Sequence, residues 1–121
     1  MINVTAVGRL TKGADLRTTG SGSQVTNFTL ACKRNRPDKD GNNRATFINC
    51  VLFGKPAMVL AKYAQKGTLI SAVGELQIRF YDDQQGVTKY VTELILENFQ
   101  FLESKETVAR REQKQNEIVS D

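Results

Sequence analysis

Apolar and polar residues alternate with period two along most of this chain, which marks strands rather than helices. The stretch 45–66 organises the rest. Its first half, residues 45–53, sets Phe47, Asn49, Val51 and Phe53 on one face and Thr46, Ile48, Cys50 and Leu52 on the other. Both faces carry large apolar groups, so neither is an obvious water side. One face meets a core. The other needs a second apolar partner, and another subunit or a flat ligand would serve. Gly54-Lys55-Pro56 ends the strand, and Pro56 suits the first position of a helix. Met58, Leu60, Ala61, Tyr63 and Ala64 then form an apolar helical stripe, with Gly67 as the stop signal.

The same period recurs before and after this stretch. Residues 2–10 form a first strand, in which Gly8 signals a bulge or a close backbone approach. Residues 25–34 form a second, with Phe28, Leu30 and Cys32 sharing a face. Residues 68–79, bent at Gly74, and 89–102 follow the helix as the fourth and fifth strands. Residues 11–24 read as a glycine-rich loop with a short extended piece around 16–18. The segments 35–44 and 82–86 carry the Pro, Asp-Gly, Asn-Asn and Gly signals of hairpin tips. Phe28 and Tyr63 are expected in the core. Phe99 and Phe101 have no assigned face, because a bulge exchanges the faces of a strand. A globular domain over 1–103 is expected to give way to a polar tail over 104–121, frayed helix or disordered.

Three strands, one helix and two strands make an all-β chain. A single helix between the third and fourth strands predicts the OB-fold, a five-stranded Greek-key barrel. An SH3-like barrel is the competitor, but it normally has no helix of this length there. In an OB-fold, oligonucleotides lie across the second and third strands and the loops joining strands one to two and four to five.

Composition narrows the chemistry. A length of 121 residues suits one domain. No apolar run reaches the roughly 18 residues of a membrane span, and no basic segment precedes an apolar core at the start. A cytoplasmic protein is expected. Cys32 and Cys50 form no CxxC pair, and the chain has no His to complete a metal site. They read as two small buried hydrophobes, and neither metal nor cofactor is expected. Without His, a GxSxG turn or a Walker loop, catalysis has no visible machinery, so the chain is not expected to be an enzyme. Asp82-Asp83 reads as a solubilising hairpin tip. The net charge is +4, with +5 over residues 1–102 and −1 over 103–121. The globular part therefore holds the positive charge, which suits an anionic partner.

The candidate surface follows from parity. Ile48, Cys50 and Leu52 already supply a core face, and Asn49 would be costly in a barrel interior without a partner. Phe47 and Phe53 therefore face outward. Tyr81, with Phe80 beside it, sits where the fourth strand enters its hairpin. Arg34, Arg36, Lys39 and Arg44 surround the other hairpin, and Lys55, Lys66 and Arg79 lie near strand ends. Exposed aromatics among cations match the unstacked bases and phosphates of single-stranded nucleic acid. Two other classes remain beside this one: an OB-fold adaptor whose aromatic face meets a protein, and, formally, a nuclease.

These residues also carry a resemblance. Val7-Gly8-Arg9-Leu10-Thr11, Asp15-Leu16-Arg17, Asn27-Phe28-Thr29-Leu30-Ala31, the run from Phe47 to Lys55, Tyr63 with Lys66-Gly67, Gly74-Glu75-Leu76 and Tyr90-Val91-Thr92-Glu93 occur together in this order. In this the chain resembles the bacterial single-stranded DNA-binding protein family across residues 1–103. The resemblance implies an OB-fold that assembles as a homotetramer and wraps single-stranded DNA in replication, recombination and repair. It implies base stacking on Phe47, Phe53 and Tyr81 and phosphate contacts from Lys55, Lys66 and Arg79. Two departures stand out. Arg36 occupies the place of a further stacking aromatic, where its planar guanidinium can stack instead. The chain ends Asn116-Glu117-Ile118-Val119-Ser120-Asp121, without the family's acidic tip and terminal Pro-Phe. An accessory or short form is expected, one that does not recruit replication and repair partners through that tip.

Overall fold

The computed structural model describes residues 1–103; the expected tail over 104–121 lies outside them. The described elements are β1 (Asn3–Leu10), β2 (Asp15–Thr18), β3 (Gln24–Lys33), β4 (Ala45–Phe53), α1 (Lys55–Tyr63), β5 (Leu69–Asp82) and β6 (Thr88–Phe101). The sheet runs β1-β5-β6-β4-β3-β2, and a β1–β3 pairing closes five of these strands into a ring. The β4–β6 pairing is parallel and the others are antiparallel. With one helix between β4 and β5, this is the OB-fold. The short extended piece in the first loop is β2, which lies outside the ring along β3.

Alternate positions fill the barrel. Leu10, Leu30, Leu52, Ile70 and Leu94 are fully buried, with Phe28 and Cys50 among them. Helix α1 packs on β3 through Ala57, Leu60 and Ala64. This corrects the expected stripe: Met58 and Tyr63 are about half exposed. A nine-residue helix sits on its sheet through a narrow strip, and small residues there let the backbones approach. The larger side chains turn outward, and the Lys62 ammonium lies 5.4 Å from the Tyr63 ring centroid. Pro56 takes the second helical position rather than the first. The helix stops at Ala64, so Gly67 serves the turn into β5 instead, its N–H donating to Leu10 O at 2.8 Å.

Two glycines allow the ring to close. A Cβ at Gly8 would lie 2.7 Å from the Ala31 carbonyl oxygen, so only glycine fits where β1 turns from β5 toward β3. A Cβ at Gly74 would overlap the Ile95 carbonyl. Beside Gly74 the register slips: Gly74 faces Leu96, but Val73 faces Asn98. Glu97 is the extra residue of a β-bulge. It lets Leu96 and Phe99 both point inward, which settles the open face of Phe99. Phe101 is in register with Ile70 on that same side.

Strands β5 and β6 run past the barrel as a two-stranded arm. Pairing continues through Phe80–Tyr90 and Tyr81–Lys89 to Asp82–Thr88, three residues beyond the expected end of β5. Asp83 caps the tip, its Oδ1 accepting the N–H groups of Gln85 and Val87 at 2.9 Å each.

Candidate nucleic-acid interface

The outward face of β4 is the centre of the site. Phe47, Asn49 and Phe53 are exposed, while Val51 between them is covered. Phe47 pairs across β3 with Ala31, and Phe53 with Val25. These short neighbours leave the rings standing clear, 65% and 50% exposed. They are six residues apart on one strand, about 20 Å. Register extends the face across the sheet: Thr29, Asn49, Glu93 and Gln77 form one row, and Asn27, Val51, Ile95 and Glu75 the next. Arg79 and Tyr81 share parity with Gln77, so both lie on this face, with Tyr81 45% exposed. Phe47, Phe53 and Tyr81 are therefore brought to one surface.

Phe80 is not. It is 68% exposed on the opposite side of the arm, where its ring lies 6.3 Å from that of Tyr90 at 56°. Adjacent residues of a strand point to opposite faces, so Phe80 and Tyr81 address different surfaces.

The cations flank the aromatic face. Because β4 and β6 run parallel, both begin at the same end of the sheet. The hairpin 34–44 and the turn 83–87 therefore project from that end. Asp38 orders the first: its Oδ1 accepts from Asp40 N at 3.0 Å and Asn42 N at 2.9 Å, and its Oδ2 pairs with Arg44 Nε at 2.7 Å. Arg34 Nε donates to Thr46 Oγ1 at 3.1 Å, while Arg36 and Lys39 stand exposed on the loop. Lys55 opens α1 two residues after Phe53, and Lys66 is exposed in the turn after α1. Arg79 is held down on the sheet, its Nε donating to Glu93 Oε1 at 3.1 Å.

Sequence reasoning missed Arg9 and Lys33. Together with Arg44 they line a groove of about 520 Å³ that adjoins Phe47 through Ala31. Arg9 reaches it because the barrel closes there, a long-range pairing that no local pattern displays. Lys33 shares parity with Ala31, and that signal was available. Arg9 also donates to Gly67 O at 3.0 Å and pairs with Glu103 at 2.8 Å.

The two cysteines offer no nucleophile. Burial, and then the neighbouring Cys32, push the Cys50 thiol up to about 12, and burial raises half-buried Cys32 too. The described residues hold no group of three or more His, Cys, Asp or Glu side chains able to ligate a metal ion. The arrangement is built to hold something flat and anionic.

A family model described as the single-strand binding protein family matches residues 1–102. The chain is 54% identical over 109 residues to a single-stranded DNA-binding protein of Enterococcus faecalis, covering 90% of this chain and 58% of that protein. It is 50% identical over 105 residues to one of Streptococcus pyogenes, covering 87% of this chain and 64% of the relative. It is 45% identical over 114 residues to single-stranded DNA-binding protein 3 of Streptococcus agalactiae, covering 94% and 83%. The chain thus spans about three-fifths of the length of the first two relatives.

Proposed function

The chain belongs to the single-strand binding protein family over residues 1–102, and from that premise we propose that it binds single-stranded DNA with little regard to sequence. The observation that supports this most is the exposure of Phe47, Phe53 and Tyr81 on one face of a barrel whose other large side chains are mostly enclosed. Bases stack on the three rings. Phosphates meet Arg34, Arg36, Lys39, Arg44, Lys55, Lys66 and Arg79, and Arg36 also offers a flat guanidinium for stacking. Every base has a π-face and every nucleotide a phosphate, so these contacts tolerate sequence. Phe80 sits apart from this path, and it contributes only where the strand passes around the arm.

Protection of single strands during replication, recombination and repair, in the cytoplasm, follows as the corresponding role. No helix among the described residues is long and apolar enough to cross a membrane. Assembly as a homotetramer belongs to the same proposal. Its support is the pair of exposed outward valines, Val7 on β1 and Val73 on β5, which give the sheet an apolar patch on a second surface.

Titration of a labelled dT oligomer at low and high salt tests the reading. Tight binding is expected, weakening with salt at a slope of about −0.7 per phosphate contacted. A folded protein that leaves the oligomer unbound at low salt would turn the aromatic face toward a protein partner instead.

A further inference from the structure

Glu93 is out of place on a surface for a polyanion. Its side chain faces outward in the middle row of the binding face, in register with Asn49 on β4 and Gln77 on β5. Arg79 offsets its charge and engages only Oε1. Glu93 makes no other hydrogen bond among the described residues, so Oε2 keeps its capacity to accept. Asn49 is its counterpart. Thr29 Oγ1 donates to Asn49 Oδ1 at 3.1 Å, which fixes the amide and leaves its two N–H donors unengaged.

We propose that Asn49 and Glu93 read base edges, and that they bias this surface toward bases bearing an exocyclic amino group over thymine. The proposal rests on the single-strand reading above and adds to it a preference. The two residues are neighbours on adjacent strands, about 4.8 Å apart along the hydrogen-bonding direction. Phe47 lies two residues to one side of Asn49 and Phe53 four to the other, so a base stacked on either ring turns an edge over this row. There the surface presents one fixed donor beside one fixed acceptor, each braced from behind.

The edges answer differently. Cytosine offers its N4 amino group to a carboxylate and its adjacent N3 to an amide donor, and adenine offers N6 and N1 likewise. Thymine has a single donor, N3–H, between two carbonyl oxygens. A carboxylate that accepts from N3–H is forced close to one of those oxygens, and the repulsion cancels much of the gain. Stacking still binds thymine, so the result is a bias and not a rule.

The test compares labelled dC and dT oligomers of one length on the wild-type protein, Glu93→Gln and Asn49→Ala. Glutamine keeps the shape but adds a donor that thymine O4 accepts. The dC-to-dT affinity ratio is expected to fall roughly threefold to tenfold in Glu93→Gln. Freeing Arg79 strengthens phosphate contact with both oligomers alike and cancels in the ratio. Asn49→Ala is expected to weaken both oligomers, because each base offers that amide an acceptor. An unchanged ratio in Glu93→Gln would reduce Glu93 to a brace for Arg79 and overturn the proposal, as would unchanged affinities in Asn49→Ala. Wild-type protein that binds neither oligomer would instead remove the single-strand reading itself.

Discussion

At the barrel end of the β5–β6 hairpin, Ile70, Ala72, Leu94 and Leu96 are buried; at the other end, Ile78, Phe80, Tyr81 and Tyr90 stand in water. The two halves share strands, pairing and alternation, and both are rich in large apolar groups. They differ in what lies opposite. The barrel half faces β1, β3, β4 and α1. Beyond Leu76 the inward-parity positions leave the barrel and nothing encloses them. Side-chain chemistry alone therefore does not decide burial; the topology decides it. The barrel half supplies cohesion, at about 1.5–3 kcal/mol for each large side chain enclosed. The arm leaves that energy unspent and keeps its rings available to a ligand.

That contrast can be broken residue by residue. The largest effect is expected in the barrel half: Leu94→Ala should destabilise the fold by about 2–5 kcal/mol, read from urea unfolding. If it costs no more than an exposed substitution, the core is misassigned. On the binding face, Phe53→Ala should leave the unfolding midpoint nearly unchanged and weaken dT binding at least about tenfold. A stacked base is worth about 1–3 kcal/mol in single-strand-binding OB-folds, the class this family exemplifies. An intact variant with wild-type affinity would contradict the face assignment.

A smaller effect comes from pH. Cys50 is neutral in the barrel and titrates from 9.0 in the unfolded chain, against about 12 when folded. Its raised value means the contribution is whole below pH 9, declines as pH rises, and is gone above 12. At pH 9.5 the loss should reach about 1 kcal/mol relative to pH 7.5. Cys50→Val, which has nothing to titrate, should lack that part of the decline in paired urea melts. Smallest of all, Phe80→Ala should move both stability and dT affinity by less than about 0.5 kcal/mol. A loss matching that of Phe53→Ala would show the strand crossing to the far side of the arm.

Much of this surface was legible before any coordinates. Strand β4 begins and ends where its alternation predicted, and parity alone turned Phe47, Asn49 and Phe53 outward. The reason is local: one residue's face follows from its neighbour's. What escaped was set by distant partners. Tyr63 and Met58 look like core residues on a helical wheel, yet Ala57, Leu60 and Ala64 suffice for the contact β3 offers. The reach of β5 to Asp82 depends on cross-strand pairs such as Phe80–Tyr90, which no single strand displays. Phe80 and Tyr81 looked like one aromatic cluster because they adjoin in sequence, although adjacency on a strand is what separates them. Arg9 reached the edge of the site only through ring closure.

The bulge at Glu97 acts on β6 as a frameshift acts on a message. A strand is read in twos, and every residue downstream of an insertion changes its meaning. With Glu97 in place, Leu94 and Leu96 on one side of the bulge and Phe99 on the other are read as interior. Without it, the last turn of the reading would invert: Phe99 and Phe101 would pass to the outer surface, and Asn98 and Gln100 would be sent into the barrel. A single deletion at this exposed acidic position would thus scramble a stretch that tolerates many substitutions. What must be inherited there is the count of residues, more than the identity of the one that makes it up.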